Sequence, residues 1–328
     1  MKVDGFLISM AVAIVLALLW PALGTSDGPL HLGLVTEIGI AFVFFLHGAA
    51  LSPQALKAGA VHWRLHLLVQ STTFVLFPIV GFLLWFTTKG VMADGLRLGF
   101  FYLCALSSTI SSSVAMTGVA RGNVAVAVFN ASLSGLIGMV VTPFLVGLVS
   151  ATGAGGPSVG EAILDIVKTL LLPFALGQLS RSLTGVWIGR NKKLTSTLDR
   201  GVIVLIVYNS FCESTLSGLW SRFSVATFVL VAALSLLLLL LALAYTRAMS
   251  RWMGLPQADE AAAVFCGSKK SLANGAPIAK ILFAGNPAIG MIMLPLLLYH
   301  QIQLVVCASL ARRYADRAEA KTEIPAEA

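Results

Sequence analysis

Long apolar runs, separated by short polar stretches, dominate the chain. Ten can be marked, at 5–23, 33–51, 65–87, 97–119, 123–149, 160–181, 197–217, 223–247, 258–283 and 287–311. A helix rises about 1.5 Å per residue, so about 20 such residues cross the hydrocarbon of a bilayer. The first run, which follows Lys2 and ends in Ala22-Leu23-Gly24, is long for a signal peptide and has a counterpart in the second half. It is read as a span.

That counterpart belongs to a repeat. Shifting the sequence by 163 residues lays Arg121-Gly122-Asn123 on Ala284-Gly285-Asn286, and runs one to five on runs six to ten. The match is one of hydropathy and of interruptions, not of residue identity. Each half holds five crossings, an odd number, so the second half must enter the membrane inverted. The expectation is an all-α polytopic membrane protein of ten transmembrane helices in a 5+5 inverted-topology repeat. Residues 1–160 form the first repeat, 161–312 the second, and 313–328 a solvated cytoplasmic tail. Inverted repeats are the plan of secondary transporters, whose substrate lies near the midplane between the halves.

Composition supports the membrane reading. Of 328 residues 58% are hydrophobic and 11% charged, with a mean hydropathy of +0.91; soluble domains carry about 25% charge. A soluble enzyme, a nucleic-acid binder and a disordered chain are all disfavoured. The net charge of +8 has its own pattern. With the N-terminus inside, fifteen basic residues fall on the cytoplasmic side, among them Lys57, Arg64, Arg190, Lys192 and Arg251, against Lys89, Arg97 and Arg222 outside. Lys and Arg are retained on the cytoplasmic face, so both termini are expected in the cytoplasm of an inner (plasma) membrane protein. Cys104, Cys212, Cys266 and Cys307 all lie within apolar runs and read as free thiols, with no metal-site spacing.

Two runs are interrupted at corresponding places. Run four contains Ser107, Ser108, Thr109, Ser111, Ser112 and Ser113, and run nine contains Gly267-Ser268-Lys269-Lys270-Ser271 followed by Asn274-Gly275-Ala276-Pro277. Serine competes for backbone bonds and proline removes a donor, so helices four and nine are expected to be discontinuous. In lipid, unwound backbone persists only where it is buried in protein or lines a cavity. Small residues that pack helices closely are the alternative for the serine run. Lys269 and Lys270 stand out, because a lysine at bilayer depth normally faces a cavity or a carboxylate. The alternative is that run nine starts later and both side chains reach the interface. Consecutive helical residues point about 100° apart, so the two lysines are expected to differ in role.

Ser107, Ser108, Ser111, Ser112, Ser113, Lys269, Lys270, Ser271 and Asn274 are the candidate substrate and ion site, with Asn130, Gln178, Asn209 and Glu213 as possible lining. Glu213 is the expected carboxylate partner of a buried lysine, and Lys280 is expected to reach the opposite interface. His47, His300, Gln301 and Gln303 are further polar residues inside apolar runs. Hydrolase motifs are missing and no histidine lies in the serine run, so an enzyme is not expected.

At these residues the chain resembles the bile acid:sodium symporter superfamily, most of all its SBF-like branch. The resemblance covers essentially the whole chain. It rests on Phe45-Leu46-His47-Gly48 through Leu51-Ser52-Pro53, Trp63-Arg64-Leu65-His66-Leu67-Leu68-Val69-Gln70, and Leu172-Pro173-Phe174-Ala175-Leu176-Gly177-Gln178. It continues in Asp199-Arg200-Gly201, Cys266-Gly267-Ser268-Lys269-Lys270-Ser271-Leu272-Ala273, and Leu294-Pro295 through Tyr299-His300-Gln301. The family implies a panel of spans one, two, six and seven, and a core of spans three to five and eight to ten, with spans four and nine crossing where they unwind.

The family's sodium ligands do not carry over. Its Ser-Asn pair after the span-four break falls on Ser112-Ser113, its span-five hydroxyls on Ala127 and Ala131, and its acidic span-nine segment on Phe265-Cys266-Gly267-Ser268-Lys269-Lys270. An ammonium would repel sodium, so a lysine is expected to take the ion's electrostatic place. A desolvated lysine can exchange a proton, leaving Na+ or H+ as possible coupling ions and no other cofactor. The resulting expectation is a secondary active transporter of a small organic anion, working by alternating access. A membrane regulator or receptor that keeps the fold without transporting is the alternative.

Overall fold

The computed structural model describes residues 5–51, 61–150, 164–165, 167–218 and 224–322. The expected repeat boundary near 160 and the Ser52-Pro53 motif lie outside them. Every regular element among the described residues is helical. The helices are α1 (Gly5–Leu19), α2 (Leu32–Ala50), α3 (Trp63–Thr87), α4 (Asp94–Ala105), α5 (Ser111–Val119), α6 (Val124–Ser150) and α7 (Val167–Leu179). They continue with α8 (Arg181–Arg190), α9 (Lys192–Leu216), α10 (Val225–Trp252), α11 (Gln257–Ser268), α12 (Leu272–Leu282) and α13 (Ile289–Thr322).

Five of these are long and apolar enough to cross a bilayer: α2, α3, α6, α10 and α13. Ile8–Leu19 within α1 and Val167–Leu179 are shorter apolar helices. Run four is divided into α4 and α5, and run nine into α11 and α12, within the expected interruptions; the Asn274-Gly275-Ala276-Pro277 segment, expected to be unwound, instead lies inside α12.

Glycine sets the closest helix contact. The α2 and α7 helices pack face to face, and a Cβ on Gly48 would overlap the carbonyl of Phe174, while one on Gly177 would overlap the carbonyl of Phe45. Only residues without a side chain allow this approach. Helix α1 lies along α9; α4 packs on α3, α6 and α13; α10 packs on α11 and α13; and α9 also meets α12. The main buried cluster centres on Phe100, Phe101, Tyr102, Ile292, Leu296 and Tyr299. All four cysteines are buried and free.

The expected solvated tail is partly a helix. Residues 313–322 continue α13, because Tyr314 is buried and donates to Glu260 Oε1 (2.5 Å). Farther along the same helix, Glu319 pairs with Arg121. Two polar anchors to other elements hold what composition alone would leave frayed.

Candidate functional site at two helix breaks

The last carbonyls of a helix lack intrahelical donors and must find partners elsewhere. At the end of α4 each has one. Cys104 O accepts from Lys270 Nζ (3.0 Å), Ala105 O from Thr142 Oγ1 (2.8 Å), and Leu106 O from Lys270 Nζ (2.7 Å). Ser107 O accepts from the backbone N–H of Ser271 (2.9 Å), which ties one break directly to the other.

The carbonyls ending α11 are satisfied from the opposite direction. Ser113 Oγ donates to Phe265 O (3.0 Å), Ser108 Oγ to Cys266 O (2.6 Å), and Tyr299 Oη to Ser268 O (2.5 Å). Ser271 caps α12 by accepting from Asn274 N–H (3.1 Å), as expected of serine at that position. Asn274 Nδ2 in turn donates to Ser107 Oγ (3.1 Å). The two interruptions are thus held by each other's polar groups.

Both lysines are fully buried, so neither reaches an interface. The Lys270 ammonium meets three carbonyls, those of Cys104, Leu106 and Thr73 (3.2 Å), and its nitrogen lies 4.0 Å from the centroid of the Phe77 ring. Three acceptors match the three donors of an ammonium. Two of them stand at the C-terminal end of α4, where the helix dipole favours a cation. The backbone of Lys270 is gripped by Gln303, which accepts from its N–H and donates to its carbonyl, each at 2.9 Å, and also bonds His300 Nδ1 at 3.0 Å.

Lys269 differs. Its ammonium donates to one carbonyl, Ser112 O (2.8 Å), with the Phe265 ring centroid 5.8 Å away. Ser112 Oγ is shielded and has no hydrogen-bond partner among the described residues, and Ser111 is exposed at the start of α5. An ammonium with spare donors, a spare hydroxyl and the positive end of α5 therefore converge.

Among the expected lining residues, Asn130 is buried on α6, bonded by Gln70, one turn before Ser134, whose Oγ accepts from Ser108 N–H (2.9 Å). Gln178 instead sits on α7 beside Gly48 of α2. Asn209 and Glu213 form a separate cluster. Lys280 Nζ donates to Asn209 Oδ1 and to Ser26 Oγ (3.0 Å), and Glu213 Oε1 accepts from Ser26 N–H (2.8 Å). Glu213 is thus no partner of Lys269 or Lys270, whose charges are met by carbonyls. Ser134, Tyr102, Tyr299 and the Thr73 carbonyl were not foreseen. Tyr102 Oη donates to Gly275 O (2.5 Å), and no local pattern reveals such distant pairings.

Known proteins resemble this chain over nearly its whole length. A sequence profile of the SBF-like CPA transporter family matches residues 4–316. The chain is 46% identical over 319 residues to "Putative symporter YfeH" of Escherichia coli K12, covering 96% of this chain and 94% of that one. It is 44% identical over 326 residues to an uncharacterized Pseudomonas aeruginosa protein, with 99% and 97% covered. "Sodium/bile acid cotransporter 7" of Rattus norvegicus is 31% identical over 307 residues, with 92% and 90% covered.

Proposed function

The chain belongs to the SBF-like CPA transporter family and is a membrane transporter; we propose that it moves a small organic anion by alternating access, with a lysine in the place of a coupling cation. The observation that carries this reading is the triple carbonyl cradle of Lys270. In transporters with broken helices, unwound carbonyls and half-helix C-termini hold the cation, while half-helix N-termini face anionic substrate groups. Here the cradle is filled by an ammonium, and α5 begins beside Lys269.

The residues present do not fit a sodium ion. Sodium requires hard oxygen ligands, but the oxygens of the cradle are taken by Lys270, and the positions of the family's hydroxyl ligands carry the buried methyls of Ala127 and Ala131. Lys270 is then a fixed internal cation. Lys269, with donors to spare, binds the substrate anion together with Ser111 and Ser112. Transport is coupled to a proton carried at Lys269, or is uncoupled.

The same proposal includes a ten-span 5+5 inverted repeat, with both termini cytoplasmic in an inner membrane. The bond from Ser271 to Ser107 supports it, because it joins residues 271 − 107 = 164 positions apart, close to the repeat shift. The packing of α1, α2, α7 and α9 on one another supports a panel that moves against the remaining helices. A thermal-shift screen of small carboxylates and sulfonates identifies a substrate, and uptake into proteoliposomes then tests its transport. Wild-type protein accumulates it, while Lys269→Met and Ser112→Leu insert normally and do not. Undiminished uptake by both variants would make the breaks purely structural.

A further inference from the structure

Between α7 and α9 the chain passes through α8, a ten-residue helix with two contrasting faces. Leu183, Val186, Trp187 and Arg190 recur at i, i+3, i+4 and i+7, so they share one side. That side is open: Leu183 is 84% exposed, Val186 63% and Trp187 50%. The opposite side fastens the helix to the protein. Ile188 is buried against Leu46 and Ala49 of α2, and Arg181 donates to the carbonyl of Leu51. The apolar face is thus presented on a fixed support.

Its depth follows from the sequence after it. Arg190, Asn191, Lys192 and Lys193 are consecutive and too polar for hydrocarbon, so this stretch lies among headgroups, where tryptophan is also favoured. Arg190, Lys192 and Lys193 are exposed and form no ion pair among the described residues. The nearest carboxylate along the chain, Asp199, faces His47 at 3.4 Å instead. Three unneutralised cations thus adjoin an apolar surface that water covers poorly.

We propose that α8 and the first residues of α9 form a binding site for an anionic phospholipid. The phosphodiester lies against Arg190, Lys192 and Lys193, and an acyl chain runs along Leu183, Val186 and Trp187. Charge complementarity selects this occupant over a zwitterionic lipid, whose headgroup leaves the three cations without net compensation. The site is independent of the substrate and of the coupling mechanism.

The test titrates the full-length protein, in neutral detergent, with phosphatidylglycerol or phosphatidylcholine and follows thermal unfolding. Phosphatidylglycerol raises the midpoint saturably and phosphatidylcholine does not; inorganic phosphate and glycerophosphate have no effect. The Lys192→Gln, Lys193→Gln double variant unfolds as wild type in detergent alone, and its phosphatidylglycerol affinity falls at least about tenfold, since each basic residue near an anionic surface contributes roughly fivefold. Should that variant fold poorly, Arg190→Gln repeats the measurement with about a fivefold loss. Equal responses to the two lipids, a response to phosphate alone, or unchanged affinity in the folded variants would overturn the proposal. So would a disulfide-linked dimer formed through Leu183→Cys in the membrane, which would place a second copy on this face.

Discussion

The Lys270 ammonium lies 3.2 Å from the carbonyl oxygen of Thr73, an oxygen that its own helix leaves without a donor. In a regular helix that oxygen would accept from the N–H of residue 77. Here α3 contains a π turn over Thr72–Leu76, and Phe77 N–H goes to Thr72 O instead. The donor one residue later would come from Pro78, which has no N–H. A local feature of one helix therefore creates an acceptor for a lysine 197 residues away.

This relationship predicts a coupling. Lys270→Met leaves three buried carbonyls unpaired, each costing about 1–3 kcal/mol, whereas the Ser112 carbonyl bonded by Lys269 is only part-buried and stands in the first turn of α5, where the helix itself supplies a donor. Chemical unfolding in detergent should therefore rank Lys270→Met well below Lys269→Met in stability. In a Pro78→Ala background residue 78 regains an N–H for Thr73 O, so the penalty of Lys270→Met should shrink by about 1 kcal/mol. Strict additivity of the two substitutions would show that Pro78 does not govern that oxygen.

The cradle should also accept a substitute. Lys270→Ala removes the ammonium and most of the side chain, leaving room and three oriented oxygens. Millimolar propylammonium is expected to raise the melting temperature of Lys270→Ala and leave wild type unmoved, because a ligand stabilises only the state that binds it. An equal effect on both proteins would argue against a cation-shaped vacancy.

Much of this site was readable in the sequence, and the limits have physical causes. The interruptions at 106–110 and 269–271 announced themselves through serine and glycine, and Lys269 and Lys270 through their cost in an apolar run; Pro277 did not break its helix, because it lies inside α12. Gln303 stood out in the same way, as a polar residue inside an apolar run, and it is buried against the Lys270 backbone; Tyr299 and Thr73 did not, because they are far from the lysine in sequence and unremarkable in type. Pairing the buried lysine with Glu213 followed charge alone. The structure instead satisfies Lys270 with orphaned helix carbonyls, and gives Glu213 to the loop at Ser26 near Lys280.

That second cluster predicts a moving contact. Lys280 on α12 holds Asn209 on α9 and Ser26 in the α1–α2 connection. Alternating access requires this contact to part. Cysteines at 26 and 280, joined by a short bifunctional thiol reagent, should abolish uptake, and thiol cleavage should restore it. Uptake that persists through complete crosslinking would show that the two sides need not separate here.

The α2–α7 contact predicts a packing effect. Gly48→Ala and Gly177→Ala each insert a methyl into a facing carbonyl, and overpacking of this kind costs about 1–3 kcal/mol. Because each substitution would already force the helices apart, the double variant should lose less than the sum of the two. Full additivity in the unfolding free energies would mean that the helices do not share this one approach.

If Lys270 occupies the place of a coupling cation, the folded protein has no site left for sodium. Purified protein is titrated with sodium chloride, with choline chloride holding ionic strength constant, while its melting temperature is followed. A sodium site would stabilise the folded protein by RT ln(1 + [Na+]/Kd), a saturable rise. Sodium and choline should act alike on wild type. A saturable stabilisation specific to sodium, retained in Lys269→Met and Lys270→Met, would contradict that role of Lys270.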